Sequence, residues 1–128
     1  MGFAIERIDH VVVNCRDVET AAAWYERTLG MKRVVFGGGR TALAFGRQKL
    51  NLRPTGAGNW ETGLVDAPGS LDLCFVTTAS PAEVKRHLES VGVAVTEGPV
   101  AKTGALGPMT SVYCRDPDGN LVEIATYP

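Results

Sequence analysis

Four side chains with metal-binding chemistry lie in apolar, strand-like segments of this 128-residue chain. An imidazole, a carboxamide and two carboxylates are carried by His10, Asn51, Asp72 and Glu123. A carboxylate inside an apolar strand is costly unless it is paired, hydrated or bound to a metal, and both acids here lie between apolar neighbours. The four side chains could therefore bind a divalent cation and leave positions open for water or substrate.

An internal repeat relates these positions to one another. The segment 10–13, His-Val-Val-Val, recurs as Asp-Leu-Cys-Phe at 72–75, an offset of 62 residues. Leu-Gly-Met at 29–31 recurs as Val-Gly-Val at 91–93 with the same offset. Two matches in one gap-free register are difficult to ascribe to chance. His10 and Asp72, the first residues of the two four-residue segments, are therefore equivalent positions of the repeat.

The last strand of each half supplies a second pair. Leu-Asn-Leu at 50–52 matches Val-Glu-Ile at 122–124, with an offset of 72 because the second half contains a longer loop at 98–108. Asn51 and Glu123 are therefore equivalent. We expect both pairs to converge on an internal pseudo-twofold axis, and Arg53 shares the strand face of Asn51 because it lies two residues further on.

The strands that must position these side chains follow from composition and length. Segments 5–13 and 71–77 are rich in Val, Leu, Ile and Phe and are short enough to be strands. Shorter strand-like segments follow in each half, at roughly 32–36, 40–45, 48–53, 94–97, 110–115 and 120–126.

One helix is predicted in each half. Asp17 is a candidate N-cap for a helix that ends at Leu29, with Gly30 in the C′ position. Ser80 begins the second helix, because a serine cap followed by proline and, three residues on, by glutamate is a strong start signal. That helix is expected to end at Gly92.

The plan is therefore βαβββ twice, an α+β fold of two tandem modules. We expect a single domain over 1–128, with module one at about 5–54 and module two at about 69–127. Asp116-Pro117-Asp118-Gly119 is a turn between the last two strands. Duplicated α+β modules place their sheets together and their helices outside, so the prediction is an open cup-shaped barrel with the helices outside.

Each candidate ligand also has a simpler interpretation. An isolated histidine in a strand is more often packed or hydrogen-bonded than metal-bound. Aspartate and glutamate that alternate with apolar residues usually lie on a solvent face. The joint placement of His10, Asn51, Asp72 and Glu123 at repeat-equivalent positions favours the metal hypothesis.

Composition excludes several classes of function. The 13 basic and 14 acidic residues give a formal charge of −1, and no basic cluster indicates nucleic acid or a membrane surface as a partner. No apolar run is long enough for a membrane span. The first residues do not resemble a signal peptide, and three widely spaced cysteines suit reduced, buried thiols, so a cytoplasmic protein is expected.

Several segments resemble the vicinal-oxygen-chelate superfamily of glyoxalases, bleomycin-resistance proteins and dioxygenases. The most specific is a DPDGN-type turn followed by an apolar strand that carries Glu123. Within the superfamily the chain resembles the glyoxalase-domain-containing 5 group, which includes virulence-associated lactoylglutathione-lyase-like proteins. The segments that carry the resemblance are 8–12, 24–25, 29–31, 48–52, 68–72, 98–108 and 116–123.

The resemblance implies a divalent metal, of Mn, Fe, Ni, Zn or Mg, bound by residues from the first and last strands of both modules. His10 and Glu123 match the family's ligands, and Glu123 is also the candidate catalytic base. Asp72 stands where a histidine is usual, and Asn51 where glutamate or histidine is usual. These departures favour a harder ion such as Mn²⁺ or Mg²⁺. A homodimer is also implied.

Two further residues are candidates for binding a small-molecule substrate. Arg53 could anchor an anionic group, or could be an exposed, solubilising arginine. Trp60, in a Gly-rich loop, could cover the mouth of the cup or fill a dimer interface.

Three functional hypotheses are open. The first is a metal-dependent lyase, isomerase or ring-cleaving dioxygenase that acts on a small oxygenated substrate. The second is a non-catalytic protein that sequesters a drug or metabolite, as bleomycin-resistance proteins do. The third is a regulatory or assembly module with a degenerate site. Metal content separates the first hypothesis from the other two.

Overall fold

The computed structural model describes residues 2–128 and contains eight strands and two helices in this part of the chain. Each half runs strand, helix, three strands, so the expected βαβββ duplication is confirmed. The elements are β1 (His10–Cys15), α1 (Val18–Leu29), β2 (Lys32–Phe36), β3 (Arg40–Phe45), β4 (Gln48–Pro54), β5 (Asp72–Val76), α2 (Pro81–Ser90), β6 (Glu97–Gly104), β7 (Gly107–Arg115) and β8 (Leu121–Thr126).

Each module forms one four-stranded mixed sheet, in the order β1-β4-β3-β2 and β5-β8-β7-β6. The first strand pairs in parallel with the last, because the helix returns the chain to the end at which it began. The remaining neighbours are antiparallel. The two sheets are not closed into a barrel, which agrees with the expected open, cup-shaped α+β fold.

Capping groups set the ends of both helices. The Asp17 carboxylate accepts a hydrogen bond from Thr20 N, and the Ser80 hydroxyl accepts one from Glu83 N. Gly30 ends α1 in the left-handed conformation, with φ of 66°, which an L side chain rarely adopts. Each cap satisfies backbone groups that the first or last turn leaves without a partner.

The helices cover one face of each sheet and leave the other face free. Side chains of β1, β3 and β4 that point towards α1, such as Val13, Leu43 and Leu50, are almost completely buried. In the second module Leu88 of α2 packs with Val112 in the same way. We call the opposite sides the helix-free faces of sheet 1 (β1–β4) and sheet 2 (β5–β8).

Buried polar contacts join the modules on their helical side. Tyr25 of α1 donates a 2.7 Å hydrogen bond to the Asp116 carboxylate in the β7–β8 turn. Asn120 donates to the same carboxylate from its backbone and side-chain nitrogens at 2.9 and 2.7 Å. His87 of α2 lies 2.8 Å from the carbonyl oxygen of Thr28. These contacts leave both helix-free faces directed away from the junction.

Several boundaries differ from the sequence predictions, and the strand expected at 94–97 lies at Glu97–Gly104 instead. Strand β1 begins at His10 rather than at residue 5, because β4, its neighbour, offers no backbone partner before Gln48. The segment 98–108 is a hairpin rather than a loop, since β6 and β7 pair from Val100–Ser111 to Gly104–Gly107. Helix α2 ends at Ser90, two residues before Gly92. None of the helices within residues 2–128 is both long and apolar enough to cross a membrane.

Candidate functional site

The strand registers confirm the equivalence of the two halves. His10 and Asp72 are the first residues of β1 and β5. Asn51 pairs with the third residue of β1, and Glu123 pairs with the third residue of β5, Cys74. Because alternate side chains of a strand share a face, His10 and Asn51 lie on the helix-free face of sheet 1. Asp72 and Glu123 lie on the helix-free face of sheet 2.

His10 is oriented by its neighbour in the chain. Nδ1 of the imidazole lies 2.9 Å from Oδ2 of Asp9, and the His10 side chain is 45% exposed. The hydrogen bond to His10 also holds the pKa of the Asp9 carboxyl below its usual value. With Nδ1 occupied by the carboxylate, Nε2 is the nitrogen left to bind a ligand.

Asn51 is 6% exposed, and its Oδ1 atom is buried without a hydrogen-bond donor. Its neighbour on β3 is Ala42, which carries no polar group. Almost all buried carbonyl oxygens in folded proteins have a partner, so an exception calls for a ligand, water or ion.

Glu123 is 9% exposed and accepts a 2.6 Å hydrogen bond from the Ser111 hydroxyl. Tyr113 pairs with Glu123 across β7 and β8, and Cys74 pairs with it across β5 and β8. Desolvation, followed by interaction with the Glu123 carboxylate, raises the pKa of Tyr113 to about 12. Burial and then the Glu123 charge raise the pKa of the Cys74 thiol to about 11.

Sequence reasoning missed Ser111 and Tyr113, although their spacing of two residues places them on one strand face. The register of β7 against β8 was the missing information, because only that pairing sets both residues beside Glu123. Cys74 is exposed, whereas Cys15 and Cys114 are buried as expected. The expectation of three buried thiols is therefore wrong for Cys74, whose side chain points to the helix-free face.

The helix-free face of sheet 2 carries a shallow polar cavity of about 390 Å³. Asp72 lies at its edge, and the Glu97 carboxylate lies 3.7 Å from the ammonium group of Lys102. Glu123 and Tyr113 line the same cavity. The cavity is large enough for a small organic molecule and contains both acids and bases.

The chain by itself does not bring the candidate ligands of the two sheets together. Within residues 2–128, no three His, Cys, Asp or Glu side chains are close enough to hold a metal ion. His10 with Asn51 and Asp72 with Glu123 therefore lie on separate sheets.

Arg53 is 5% exposed, and its guanidinium group is fully engaged by the chain that follows β4. It donates to the carbonyl oxygens of Ala57 and Trp60 at 2.8 and 2.9 Å. It also donates to Asn14 Oδ1 at 2.9 Å and to the Asp66 carboxylate at 3.0 Å. These hydrogen bonds hold the loop 55–66 against sheet 1, and Arg53 lines a cavity of about 700 Å³ beside that loop.

Trp60 is 9% exposed, packs in the same region and lines the cavities on either side of the loop that carries it. The Arg40 guanidinium carbon lies 4.1 Å from the centre of its ring. Phe36 meets the ring edge to face at a centroid distance of 6.4 Å. The Lys49 ammonium group in turn lies 3.5 Å from the Phe36 ring centre.

Comparison with known proteins identifies relatives along nearly the whole chain. A family model described as the Glyoxalase/Bleomycin resistance protein/Dioxygenase superfamily matches residues 7–124. The glyoxalase domain-containing protein RDO1 of Mycosarcoma maydis is 48% identical, over 97% of this chain and 70% of that protein. Virulence protein STM3117 of Salmonella typhimurium is 43% identical, over 96% of this chain and 85% of that protein.

Solved structures agree with these matches. An integron cassette protein from the mobile metagenome of V. cholerae superposes with a TM-score of 0.96 and 45% identity, over 100% of both chains. A lactoylglutathione lyase from Agrobacterium tumefaciens shares the fold at 24% identity and a TM-score of 0.74, over 96% of this chain and 95% of that one. TnmS3, an antibiotic binding protein from Streptomyces, does so at 23% and 0.79, over 98% and 99%.

Proposed function

Because this chain belongs to the glyoxalase/bleomycin resistance protein/dioxygenase superfamily, we propose that it is a divalent-metal-dependent enzyme acting on a small substrate with two adjacent oxygens. The reaction class within this proposal is that of a lactoylglutathione-lyase-like or ring-cleaving dioxygenase-like enzyme. His10, Asn51, Asp72 and Glu123 are the proposed metal ligands. The site is proposed to form between two copies of the chain.

The observation that carries the proposal is the unpartnered Oδ1 atom of Asn51, on the same sheet face as His10. A buried carbonyl oxygen without a partner loses the free energy of hydration with no compensation. Coordination of a cation would supply the missing partner.

The donor set fits a hard divalent cation. His10 has Nε2 free because Asp9 occupies Nδ1, and the two acids of sheet 2 offer oxygens only. One imidazole with carboxylate and carboxamide oxygens suits Mn²⁺ or Mg²⁺ better than a soft ion. When bound, such a cation supplies Lewis-acid stabilisation of negative charge on the substrate oxygens.

A second copy of the chain would complete the ligand set. The contacts between the two modules of one chain lie on their helical side, through pairs such as Tyr25–Asp116, so both helix-free faces are available. Sheet 1 of one copy placed against sheet 2 of the other would bring His10 and Asn51 to Asp72 and Glu123. A homodimer of this kind contains two equivalent sites.

In this arrangement Glu123 is the proposed base. Its carboxylate is held in one orientation by the Ser111 hydroxyl, and it lies next to a cavity in which a substrate would fit. Proton abstraction from the substrate carbon or hydroxyl by a fixed, nearly buried carboxylate is general base catalysis. Tyr113, on the neighbouring strand, would lie beside the substrate as a hydroxyl donor, and desolvation raises its pKa further above neutral pH.

Metal analysis tests this proposal. Purified protein incubated with Mn²⁺, Fe²⁺, Ni²⁺ or Zn²⁺ and then desalted should retain about one ion per chain. His10→Ala and Glu123→Ala should lose it, whereas Glu89→Ala, an exposed acid on α2, should retain it. Wild-type protein that retains none of these ions would contradict the proposal, and so would an unchanged content in His10→Ala.

A non-catalytic, drug-sequestering protein is the second candidate. The edge-to-face pair of Phe36 and Trp60 beside sheet 1 favours it, because aromatic side chains contact flat organic molecules without a metal. In that case a planar antibiotic should quench tryptophan fluorescence in chelator-treated protein as strongly as in metal-loaded protein. Quenching that requires the metal supports the enzyme instead.

A further inference from the structure

Arg40 and Lys49 are partly buried and have no acidic partner in the part of the chain that the structure describes. Among the lysines and arginines of residues 2–128, nine are exposed and four are not, namely Arg33, Arg40, Lys49 and Arg53. Arg33 forms ion pairs with glutamates of α1, and Arg53 forms one with Asp66. In the same stretch of chain, no carboxylate lies within salt-bridge distance of Arg40 or Lys49.

Both unpaired cations lie on the helix-free face of sheet 1. Lys49 is the register partner of His10 in the parallel β1–β4 pair, so the two side chains leave the sheet next to each other. Asn51 follows Lys49 by two residues and shares its face. Arg40 lies on that face as well, because it precedes Ala42, the β3 partner of Asn51, by two residues.

The two cations converge on one pair of aromatic rings. The Lys49 ammonium group lies 3.5 Å from the centre of the Phe36 ring, and the Arg40 guanidinium lies 4.1 Å from the centre of the Trp60 ring. The two rings contact each other edge to face. We call these four residues the cation–aromatic cluster.

The rings satisfy the cations only in part. A ring face attracts a cation through its quadrupole, which is weaker than a charge-assisted hydrogen bond to a carboxylate. Asp9, whose carboxylate interacts with the Lys49 charge, is already hydrogen-bonded to His10, and Asp66 is bound to Arg53. Arg40 also donates to the carbonyl oxygen of Asn59 at 3.1 Å, so an anion supplied by a ligand would find two cations that have no carboxylate partner within residues 2–128.

We propose that Lys49 and Arg40 bind a carboxylate of the substrate, so that the site selects small carboxylate-bearing compounds with two adjacent oxygens. Phe36 and Trp60 would contact the apolar part of such a molecule. This inference rests on the proposed function, because the adjacent oxygens are assigned to the metal. It adds the substrate's negative charge and the residues that recognise it.

Calorimetric titration of two matched probes tests the inference. Catechol carries two adjacent oxygens, and protocatechuate is catechol with one added carboxylate. Mn²⁺-loaded wild-type protein should bind protocatechuate about tenfold more tightly than catechol, the usual size of one charge-assisted contact. Lys49→Met, which retains the aliphatic stem, should reduce this preference without weakening catechol, and Lys49→Met combined with Arg40→Met should abolish it.

Matched variants separate recognition of charge from general damage. Arg40→Met should reduce the preference for protocatechuate, and Lys49→Arg should keep it. Lys85→Met, an exposed lysine on α2, should behave as wild type. A preference that is unreduced in Lys49→Met or survives in the double variant, or a wild-type protein that binds both probes equally, would overturn the inference.

The same titration in metal-free protein distinguishes a failure of the carboxylate assignment from a failure of the proposed metal-dependent function. The preference for protocatechuate should persist, at lower affinity, in chelator-treated protein, because Lys49 and Arg40 need no metal to bind a carboxylate. A wild-type protein that binds no Mn²⁺ but keeps the preference would contradict the metal proposal alone. If Lys49→Met lost Mn²⁺ as well, Lys49 would be a support of the metal site, and the carboxylate assignment would be wrong.

Discussion

The carboxylate of Asp9 lies 2.9 Å from Nδ1 of His10 and so determines which imidazole nitrogen faces the helix-free side of sheet 1. Metal-binding histidines almost always have such a partner on the second nitrogen, which fixes the tautomer and the ring orientation. The pair is consecutive in the chain, and the backbone carbonyl of Asp9 also accepts from Lys49 N at 3.3 Å. Both residues are therefore fixed at the start of the β1–β4 pairing.

Asp9→Asn should weaken metal binding without abolishing it. Loss of the orienting carboxylate typically reduces metal affinity by about 10- to 100-fold, because the ring can rotate and its basicity falls. Competition titration with a chromogenic chelator measures the change. Glu6→Gln, which removes an exposed acid paired only with Arg7, is the control and should bind as wild type. Equal affinity in Asp9→Asn would show that this carboxylate has no part in binding.

Tyr25→Phe should destabilise the junction between the modules. It removes the 2.7 Å hydrogen bond to the buried Asp116 carboxylate and leaves Asn120 as that carboxylate's side-chain partner. A hydrogen bond to a charged group contributes about 1.5–3 kcal/mol, so the free energy of unfolding in urea should fall by that amount. Tyr127→Phe removes a hydroxyl that accepts a bond from Leu106 N and should cost less. Equal losses in both variants would refute a special role for the Tyr25 contact.

Arg53→Met should release the loop 55–66 from sheet 1. The substitution removes the donor of two loop carbonyl oxygens, whereas the exposed Asp66 carboxylate keeps Gly56 N, so a loss of about 1–3 kcal/mol in unfolding free energy is expected. Hydrogen exchange of the loop amides should accelerate more than that of α2. Arg47→Met, at an exposed position, should leave both measurements unchanged. A loop that keeps its protection in Arg53→Met would contradict the structural role given to this arginine.

The Arg53–Asp66 pair should make stability depend on acid pH. The hydrogen bond from Arg53, followed by that from Gly56 N, lowers the pKa of Asp66 from the ordinary value of 3.8. A depressed pKa in the folded state contributes stability that is complete above the unfolded value and is lost as the pH falls through the folded value. Urea midpoints measured from pH 6 downwards should therefore fall below about pH 4. Asp66→Asn should flatten that decline, and an identical decline in the variant would contradict the assignment.

Much of the fold was predictable because its signals are local. Glycine turns and strand composition gave β2, β3 and β4 almost to the residue, and the caps Asp17 and Ser80 marked both helix starts. The hairpin of β6 and β7 was not predicted, because Gly and Pro between 98 and 108 indicate a loop when no partner strand is known. Residues 5–9 have the composition of a strand but, among the described residues, no neighbouring strand with which to pair, and composition alone does not show whether a partner exists.

The candidate site was predictable in part for the same reason. Repeat offsets identified the equivalence of His10 with Asp72 and of Asn51 with Glu123, which depends only on register. The contacts of Arg53 depend on how the loop 55–66 folds back onto sheet 1. The sequence therefore predicts only the strand face on which Arg53 lies. From the sequence, the DPDGN turn at 116–120 indicates only the family.

In the structure that turn has a mechanical role. The Asp116 carboxylate accepts hydrogen bonds from Tyr25 of the other module and from Asn120, and so holds the two halves together. The turn at 116–120, which is the most recognisable motif of the chain, therefore stabilises the fold and does not itself supply a proposed metal ligand. This explains why the family was easier to identify than the reaction.

The central claim is that sheet 1 of one copy and sheet 2 of another bind one divalent metal between them. Mixing two variants that each lack one proposed ligand tests this claim directly. His10→Ala and Glu123→Ala should each retain little Mn²⁺. When the two are unfolded together and refolded, each mixed dimer should contain one site with both native ligands, which restores about one quarter of the wild-type content on statistical pairing. Metal content that stays at the level of the single variants would contradict a site shared between two chains.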